Sequence, residues 1–139
     1  MHPEQAMEEL NAIMAHAWMV RTFLKHADEI QEYEEMLEVP RMIFDYIRAL
    51  EPSYQRKDTA DYLRRARGKL PKLRRVADRF AQQFKRFSDH TNFQMAALSL
   101  SACVRQIDEI LTAAEKEARV QAAPPTVLQP ELDKEQPCT

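Results

Sequence analysis

Glycine is almost absent from this chain of 139 residues, in which Gly68 is the only one. The glycine-rich loops that bind phosphates in dinucleotide-binding and P-loop proteins need two or more glycines at fixed spacing. The nucleophile elbow of serine hydrolases, Gly-x-Ser-x-Gly, also needs two. The composition therefore excludes these three kinds of site from the chain.

Cysteine and histidine are also scarce, with two and four residues. Cys103 and Cys138 are too few for a disulfide framework and too far apart for a Cys-x-x-Cys zinc motif. No histidine follows a glutamate by three residues, so the Glu-x-x-His pairs of di-iron helical bundles are missing from the sequence. Two isolated cysteines are typical of a protein from a reducing compartment.

Long apolar runs and a basic start are lacking as well. No segment approaches the roughly 18 consecutive apolar residues that a membrane span requires. The first ten residues include Glu4, Glu8 and Glu9 but no Lys or Arg, unlike the start of a secretory signal peptide. These features favour a cytoplasmic protein.

The sequence does contain hydrophobic residues at alternating spacings of three and four, the pattern of amphipathic helices. Four such segments predict helices over residues 4–27, 36–51, 58–87 and 92–120. The third pattern continues through Gly68 and Pro71, with Leu63, Ala66, Leu70, Leu73, Ala77, Phe80, Phe84 and Phe87 on one face. An interior proline costs roughly 3 kcal/mol, which is less than the burial of eight such residues contributes. We therefore expect the third helix to bend there without ending.

Prolines also bear on the second helix. Pro40 is expected in its first turn, where proline is tolerated, and Pro52 is expected to stop it. The alternative is a helix that begins near Glu35 and is kinked by Pro40. Asp58 or Thr59 is a suitable N-cap for the third helix.

The fourth helix is predicted to open with a capping box formed by Thr91 and Gln94. Residues 121–139 contain four prolines and no periodicity, which predicts a disordered tail. The fold class predicted for residues 1–120 is all-α, a single antiparallel up-down-up-down four-helix bundle.

Helices one and four carry apolar residues outside their core-facing stripes. These include Trp18, Met19 and Phe23 on the first helix, and Met95 and Leu98 on the fourth. Exposed Trp, Met and Phe side chains are typical of the centre of a protein interface. The leading hypothesis is a non-enzymatic helical-bundle interaction or structural protein that forms a homodimer through these residues. The alternative is that the wide stripes face two neighbours within the bundle.

Charge is strongly segregated, although the net charge is only −2. Residues 28–38 hold six acids and no base, whereas residues 56–86 hold twelve bases and three acids. Binding of nucleic acid or another polyanion is the second hypothesis. It would use Arg64, Arg65, Arg67, Lys69, Lys72, Arg74 and Arg75. Aromatic residues are not interleaved among these cations for base stacking, and the alternative is a solvated face partly paired with residues 28–38.

One pole of the predicted bundle gathers histidines and acids. The ends of helices one and three would meet there, bringing His26 and Glu29 close to Asp89 and His90. Imidazole and carboxylate groups bind divalent metals, so a metal site is the third hypothesis. The alternative is that Asp89 caps the fourth helix and both histidines lie in solvent. The sequence implies no other cofactor.

Overall fold

The computed structural model describes residues 1–122, which form four α-helices and no β-strand. The helices are α1 (Pro3–His26), α2 (Glu34–Gln55), α3 (Thr59–Gln83) and α4 (Thr91–Ala122). Single 3-10 turns follow α1 and α3, at Asp28–Ile30 and Phe84–Arg86. None of these four helices has an apolar stretch long enough to cross a membrane. The prediction of an all-α, four-helix fold is confirmed.

Each helix packs against its neighbours in the chain, and α4 packs back against α1. The end of α1 meets the start of α4, where the ring centres of Phe23 and Phe93 lie 5.2 Å apart. The start of α2 meets the end of α3 through an ion pair of 3.0 Å between Glu38 and Arg79. These are the contacts expected of antiparallel neighbours in an up-down-up-down bundle.

The connection between α1 and α2 is fixed by Gln31. Its side-chain amide donates hydrogen bonds to the backbone carbonyls of Lys25, at 2.8 Å, and Ala27, at 2.9 Å. Carbonyls at a helix C-terminus have no partner within the helix, so Gln31 satisfies groups that would otherwise need water. Ile30 is fully buried and anchors the turn against the core.

The second helix begins earlier than predicted. It starts at Glu34, so Pro40 lies inside it rather than in its first turn, and that expectation is wrong. The alternative prediction, a helix that begins near Glu35, agrees with the observed start to within one residue. Glu34 and Glu35 occupy the first turn, where carboxylates interact favourably with the helix dipole. Pro40 is buried, so the packing of its ring offsets part of the cost of the missing N–H.

The expectation that Pro52 stops α2 is also wrong, because the helix continues to Gln55. The side chain of Ser53 is 1% exposed and donates a hydrogen bond to Asp61 of α3, which holds this last turn in place. The chain leaves the helical path at Lys57, whose φ of 58° is left-handed. The N–H of Asp58 then donates to the carbonyl of Ser53 at 2.9 Å, closing the helix end.

The third helix runs unbroken through Gly68 and Pro71, as predicted. Both residues are exposed, so the proline ring displaces no core side chain. Asp58 is the N-cap, and its carboxylate accepts a hydrogen bond of 3.1 Å from the N–H of Asp61. The α-helix stops at Gln83 rather than at residue 87, because its last turn tightens into the 3-10 turn that follows.

The fourth helix begins at Thr91, and the residue that caps it is His90. The Nδ1 atom of His90 accepts a hydrogen bond of 3.0 Å from the N–H of Asn92. The predicted capping box of Thr91 and Gln94 is therefore wrong, because the cap lies one residue earlier and Phe93, three residues after it, cannot complete a box. Residues 121 and 122 belong to α4, whereas the rest of the predicted disordered tail, 123–139, lies outside the described residues.

One hydrophobic core runs through the bundle and draws on all four helices. Its largest fully buried side chains include Leu10, Leu24, Ile43, Leu50, Leu70, Phe80, Leu100 and Ile107. Cys103 lies among them on α4 and is 4% exposed. Burial raises the pKa of the Cys103 thiol, which keeps it neutral and unreactive.

Candidate interaction surfaces

The exposed residues in adjacent parts of α1 and α4 form a surface without Lys, Arg, Asp or Glu, and at its edge Gln94 and Leu98 border Lys85, which follows α3. We call this surface the uncharged face. It comprises every exposed residue between positions 11 and 24 and between positions 91 and 104: Ala12, Ala15, His16, Met19, Thr91, Asn92, Gln94, Met95 and Leu98. Met19, Leu98 and Met95 are 67%, 59% and 51% exposed. The solvent side of a bundle helix usually carries charged residues, so this composition is unusual.

Two of the five predicted interface residues are half-buried between helices instead. Phe23 is half-buried and contacts the edge of Phe93 between α1 and α4. Trp18 is half-buried on the other side of α1, where its ring centre lies 6.1 Å from that of Phe44 in α2. The structure therefore leaves Met19, Met95 and Leu98 exposed, and assigns the two large aromatic rings to packing between helices.

Two residues of the predicted polyanion site form ion pairs with the fourth helix. Arg67 contacts Asp108 at 2.7 Å and Glu115 at 2.9 Å, and Arg74 contacts Asp108 at 3.2 Å. Arg67 also donates to the hydroxyl of Thr112. The carboxylates of Glu115 and Asp108 raise the pKa of Arg67, while the hydrogen bond from Arg67 lowers the pKa of Asp108. These two arginines therefore link α3 to α4.

Two more of the predicted cations converge on Asp61. Arg65 lies 2.9 Å from its carboxylate, Arg56 lies 3.2 Å away, and Arg64 is in direct contact. The hydroxyl of Ser53 donates to the same carboxylate. The hydrogen bond from Ser53 and those from Arg65 and Arg64 hold the pKa of Asp61 far below its usual value. This cluster closes the corner between the end of α2 and the start of α3.

Lys69, Lys72 and Arg75 form no ion pair with any residue from 1 to 122. They lie along the exposed side of α3, and Lys69 and Lys72 line an open hollow of about 300 Å³ shared with α2. The expected pairing of the basic helix with residues 28–38 is limited to Glu38, which contacts Arg79. The seven predicted polyanion-binding residues thus divide into four that are paired and three that are free within the described chain.

The predicted metal ligands do not form a metal-binding group. His26, Glu29, Asp89 and His90 are all exposed. The Nδ1 atom of His90 already accepts a hydrogen bond from the N–H of Asn92 at the start of α4. In residues 1–122, no three or more His, Cys, Asp or Glu side chains lie together in a way that could hold a metal ion.

The groove between α1 and α2 was not anticipated from the sequence. The guanidinium of Arg21 stacks over Trp18, 4.1 Å from its ring centre, and lies 5.1 Å from that of Phe44. These three residues separate two hollows of the groove. We call the hollow lined by Arg21, Lys25 and Arg41 the basic hollow, about 450 Å³ in volume. The spacing of Trp18 and Arg21, three residues apart on one helix, was the signal that could have found the stack.

The other hollow, of about 260 Å³, contains an unsatisfied buried hydroxyl, and we call it the tyrosine hollow. It is lined by Trp18, Tyr54 and Tyr62 together with Met14 and other apolar side chains. Tyr62 is 1% exposed, yet its hydroxyl has no hydrogen-bond partner in the described structure. Burial raises the pKa of Tyr62 well above that of a free phenol, so its proton is retained and available for donation.

Comparisons with family models, with curated proteins and with solved structures find no match to this chain.

Proposed function

We propose that this chain is a non-enzymatic helical-bundle interaction protein of the reducing cytoplasm. It forms a homodimer through the uncharged face of α1 and α4. The observation that carries the proposal is the absence of Lys, Arg, Asp and Glu among the nine exposed residues of that face, combined with the exposure of Met19, Met95 and Leu98.

The composition of the face suits burial against protein. Charged residues are depleted and Met is enriched at interface centres, because removing an unpaired charge from water is costly. Met19, Met95 and Leu98 provide the apolar area. Ala12 and Ala15 leave room for a second helix to approach closely, since interaxial distances shorten when the contact residues are small.

A second copy of the chain is the partner that this composition favours. In a symmetric dimer the same patch meets itself, so a charged patch would place like charges opposite each other. The uncharged face avoids that repulsion. It also offers no charge pattern by which a different, charged partner could be selected.

Light scattering on a sizing column tests the proposal, with protein loaded over about a hundredfold range of concentration. We expect the mass of a dimer for the natural sequence. Met19→Glu and Leu98→Glu are each expected to give a monomer, because each places a carboxylate within the buried patch.

Val120→Glu is the matched control. Val120 is 75% exposed on α4 and lies outside the uncharged face, so its replacement should leave the dimer intact. Circular dichroism of all three variants must show unchanged helix content. A natural sequence that is monomeric throughout, or a dimer indifferent to both substitutions in the face, contradicts the proposal.

A second candidate function is polyanion binding by Lys69, Lys72 and Arg75. It is supported by the lack of carboxylate partners for these three cations within the described chain. The expected result is that a fluorescent oligonucleotide binds at low salt and dissociates steeply as salt rises. Replacing the three residues by Gln should weaken binding, whereas Arg67→Gln, which removes a cation already paired within the bundle, should not. Absence of binding at low salt rejects this candidate.

A further inference from the structure

The groove between α1 and α2 consists of two hollows with apolar floors and charged residues at their rims. Its floor is formed by Leu37, Pro40 and Phe44 in the basic hollow and by Met14, Ile47 and Leu50 in the tyrosine hollow. Trp18 and Phe44 meet between the two hollows. The groove is on the opposite side of α1 from Phe23, which packs against α4. Ala15, at the edge of the tyrosine hollow, is the one residue that the uncharged face shares with the lining of these two hollows.

The cations of the basic hollow are poorly neutralised. Arg21 and Lys25 form no ion pair with any residue from 1 to 122, and Arg41 reaches only Glu34, at 4.0 Å. Arg21 is held in place by its stack on Trp18 rather than by a carboxylate. Three positive groups around an apolar floor form a surface that suits a ligand with both an apolar side chain and carboxylates.

The tyrosine hollow carries no such excess of positive charge. Glu51 lines it and is paired with Arg48 at 2.7 Å, and Glu8 lies beside it, accepting a hydrogen bond of 2.9 Å from the hydroxyl of Tyr54. The hydroxyl of Tyr62 has no partner and offers a donor to an incoming group. A buried hydroxyl without a partner is unfavourable, and a bound chain that supplies an acceptor would remove that penalty.

We propose that this groove binds an amphipathic helix from a partner protein, with the carboxylates of that helix at the basic hollow. Asn11, in the tyrosine hollow, and Lys25, in the basic hollow, are 14 positions apart on α1. That separation corresponds to about 21 Å of helix. A partner helix of about 14 residues fills the groove when its apolar residues follow the spacing i, i+3, i+4 and i+7.

The chain carries its own reporter for such binding. Trp18 is the only tryptophan in the sequence, and it lies between the two hollows under Arg21. A helix that engages Arg21 or covers Trp18 must change the tryptophan fluorescence. Peptides that lack tryptophan can therefore be titrated without a label.

The experiment titrates the full chain with a panel of 14-residue helical peptides, up to about 1 mM, with calorimetry alongside fluorescence. Each peptide has an aliphatic stripe and glutamates in its first turn. Its matched control has glutamine in place of each glutamate. We expect a change in Trp18 fluorescence and at least about tenfold weaker binding of the control peptide.

Two variants locate the site. The double variant Arg21→Gln/Lys25→Gln should weaken peptide binding by at least about tenfold, and the loss should shrink at high salt. Arg105→Gln on the exposed side of α4 is the matched control and should bind like the natural sequence. Because Arg21 and Lys25 lie outside the uncharged face, the double variant should also retain the dimer mass.

Three outcomes would overturn the inference. They are the absence of fluorescence change and heat across the whole panel, equal binding of the glutamate and glutamine peptides, and equal binding by the double variant. Inorganic phosphate is tested as a competitor at about 10 mM. If it displaces the bound peptide, the site is a general anion site rather than a site for a helix. That result would also reject the proposal.

Discussion

The α1–α4 side of the bundle and the surface of α3 differ in the interactions that surround the shared hydrophobic core. Where the end of α1 meets the start of α4, Phe23 packs against Phe93 beneath exposed residues that carry no charge. The exposed surface of α3 is crowded with cations, and polar contacts link it to α4 through Arg67 and to the end of α2 through Asp61. Apolar contacts do not weaken with salt, whereas exposed ion pairs do. The two sides should therefore respond differently to the same change of solvent.

Phe93→Ala should have the largest effect, because Phe93 is 1% exposed and fills the space against Phe23. Truncation of a buried phenylalanine lowers the free energy of unfolding by about 3–5 kcal/mol. We expect the same loss at low and high salt in urea unfolding experiments. Gln94→Ala, at the neighbouring exposed position, is the control and should change stability by less than about 0.5 kcal/mol. A loss that depends on salt would contradict the apolar account of this side.

Arg67→Met tests the polar attachment of α3 to α4. The methionine keeps an apolar stem but removes the contacts with Asp108, Thr112 and Glu115. Because Arg67 is partly solvent-exposed, we expect a loss of only about 1 kcal/mol at low salt, and less at high salt. Arg64→Met is the control, since Arg64 is more exposed and Asp61 retains two other arginines. Equal losses for the two variants would show that the link to α4 adds nothing.

Tyr46 of α2 and Tyr62 of α3 are both buried, but their hydroxyls differ in hydrogen bonding. The hydroxyl of Tyr46 donates a buried hydrogen bond of 2.8 Å to the carbonyl of Ala66, whereas that of Tyr62 has no partner in the described structure. Tyr46→Phe should therefore lower the free energy of unfolding by about 1 kcal/mol. Tyr62→Phe should be neutral or raise it by up to about 1 kcal/mol. Thermal unfolding of the two variants measures the difference, and a destabilised Tyr62→Phe would show that its hydroxyl is satisfied in solution.

Acid should produce the smallest effect, and it should act on α3. The pKa values of Asp61 and Asp108 are lowered in the folded state by their hydrogen bonds with Ser53 and with arginines. A group with a lowered folded pKa contributes stability that is fully present above its unfolded pKa and is lost as the pH falls through the folded one. Stability should therefore begin to fall below about pH 4. Chemical unfolding of Asp61→Asn/Asp108→Asn should show a flatter dependence on pH, and an unchanged slope would contradict this assignment.

The helices could be predicted from the sequence because each has a periodic apolar stripe. The stripe of α3 outweighs Pro71, and the same reasoning applied to Pro40 would have placed it inside α2. The exact core face was less predictable: Tyr62 is 1% exposed, whereas the predicted stripe residue Leu63 is half-buried. Tyrosine is compatible with either face, and only tertiary packing decides which one it occupies.

The surfaces were harder to predict than the helices. A wide apolar stripe on α1 does not reveal which neighbour receives Trp18, because α2 and α4 flank it on both sides. Likewise, the basic residues of α3 were visible, but their partners Asp108 and Glu115 lie more than 30 positions away in the sequence. Periodicity reports one helix at a time, whereas these pairings depend on how two helices are rotated about their axes.

The rate at which the buried thiol of Cys103 is modified can report how often α4 opens. With Cys138 replaced by serine, Cys103 is the single thiol in the chain. It is 4% exposed in the middle of α4, so an aromatic disulfide reagent can reach it only when α4 lifts from the core. The rate of modification then measures how often that helix opens. If α4 lies in a dimer interface, the rate should fall as the protein concentration rises, which couples a local motion to assembly.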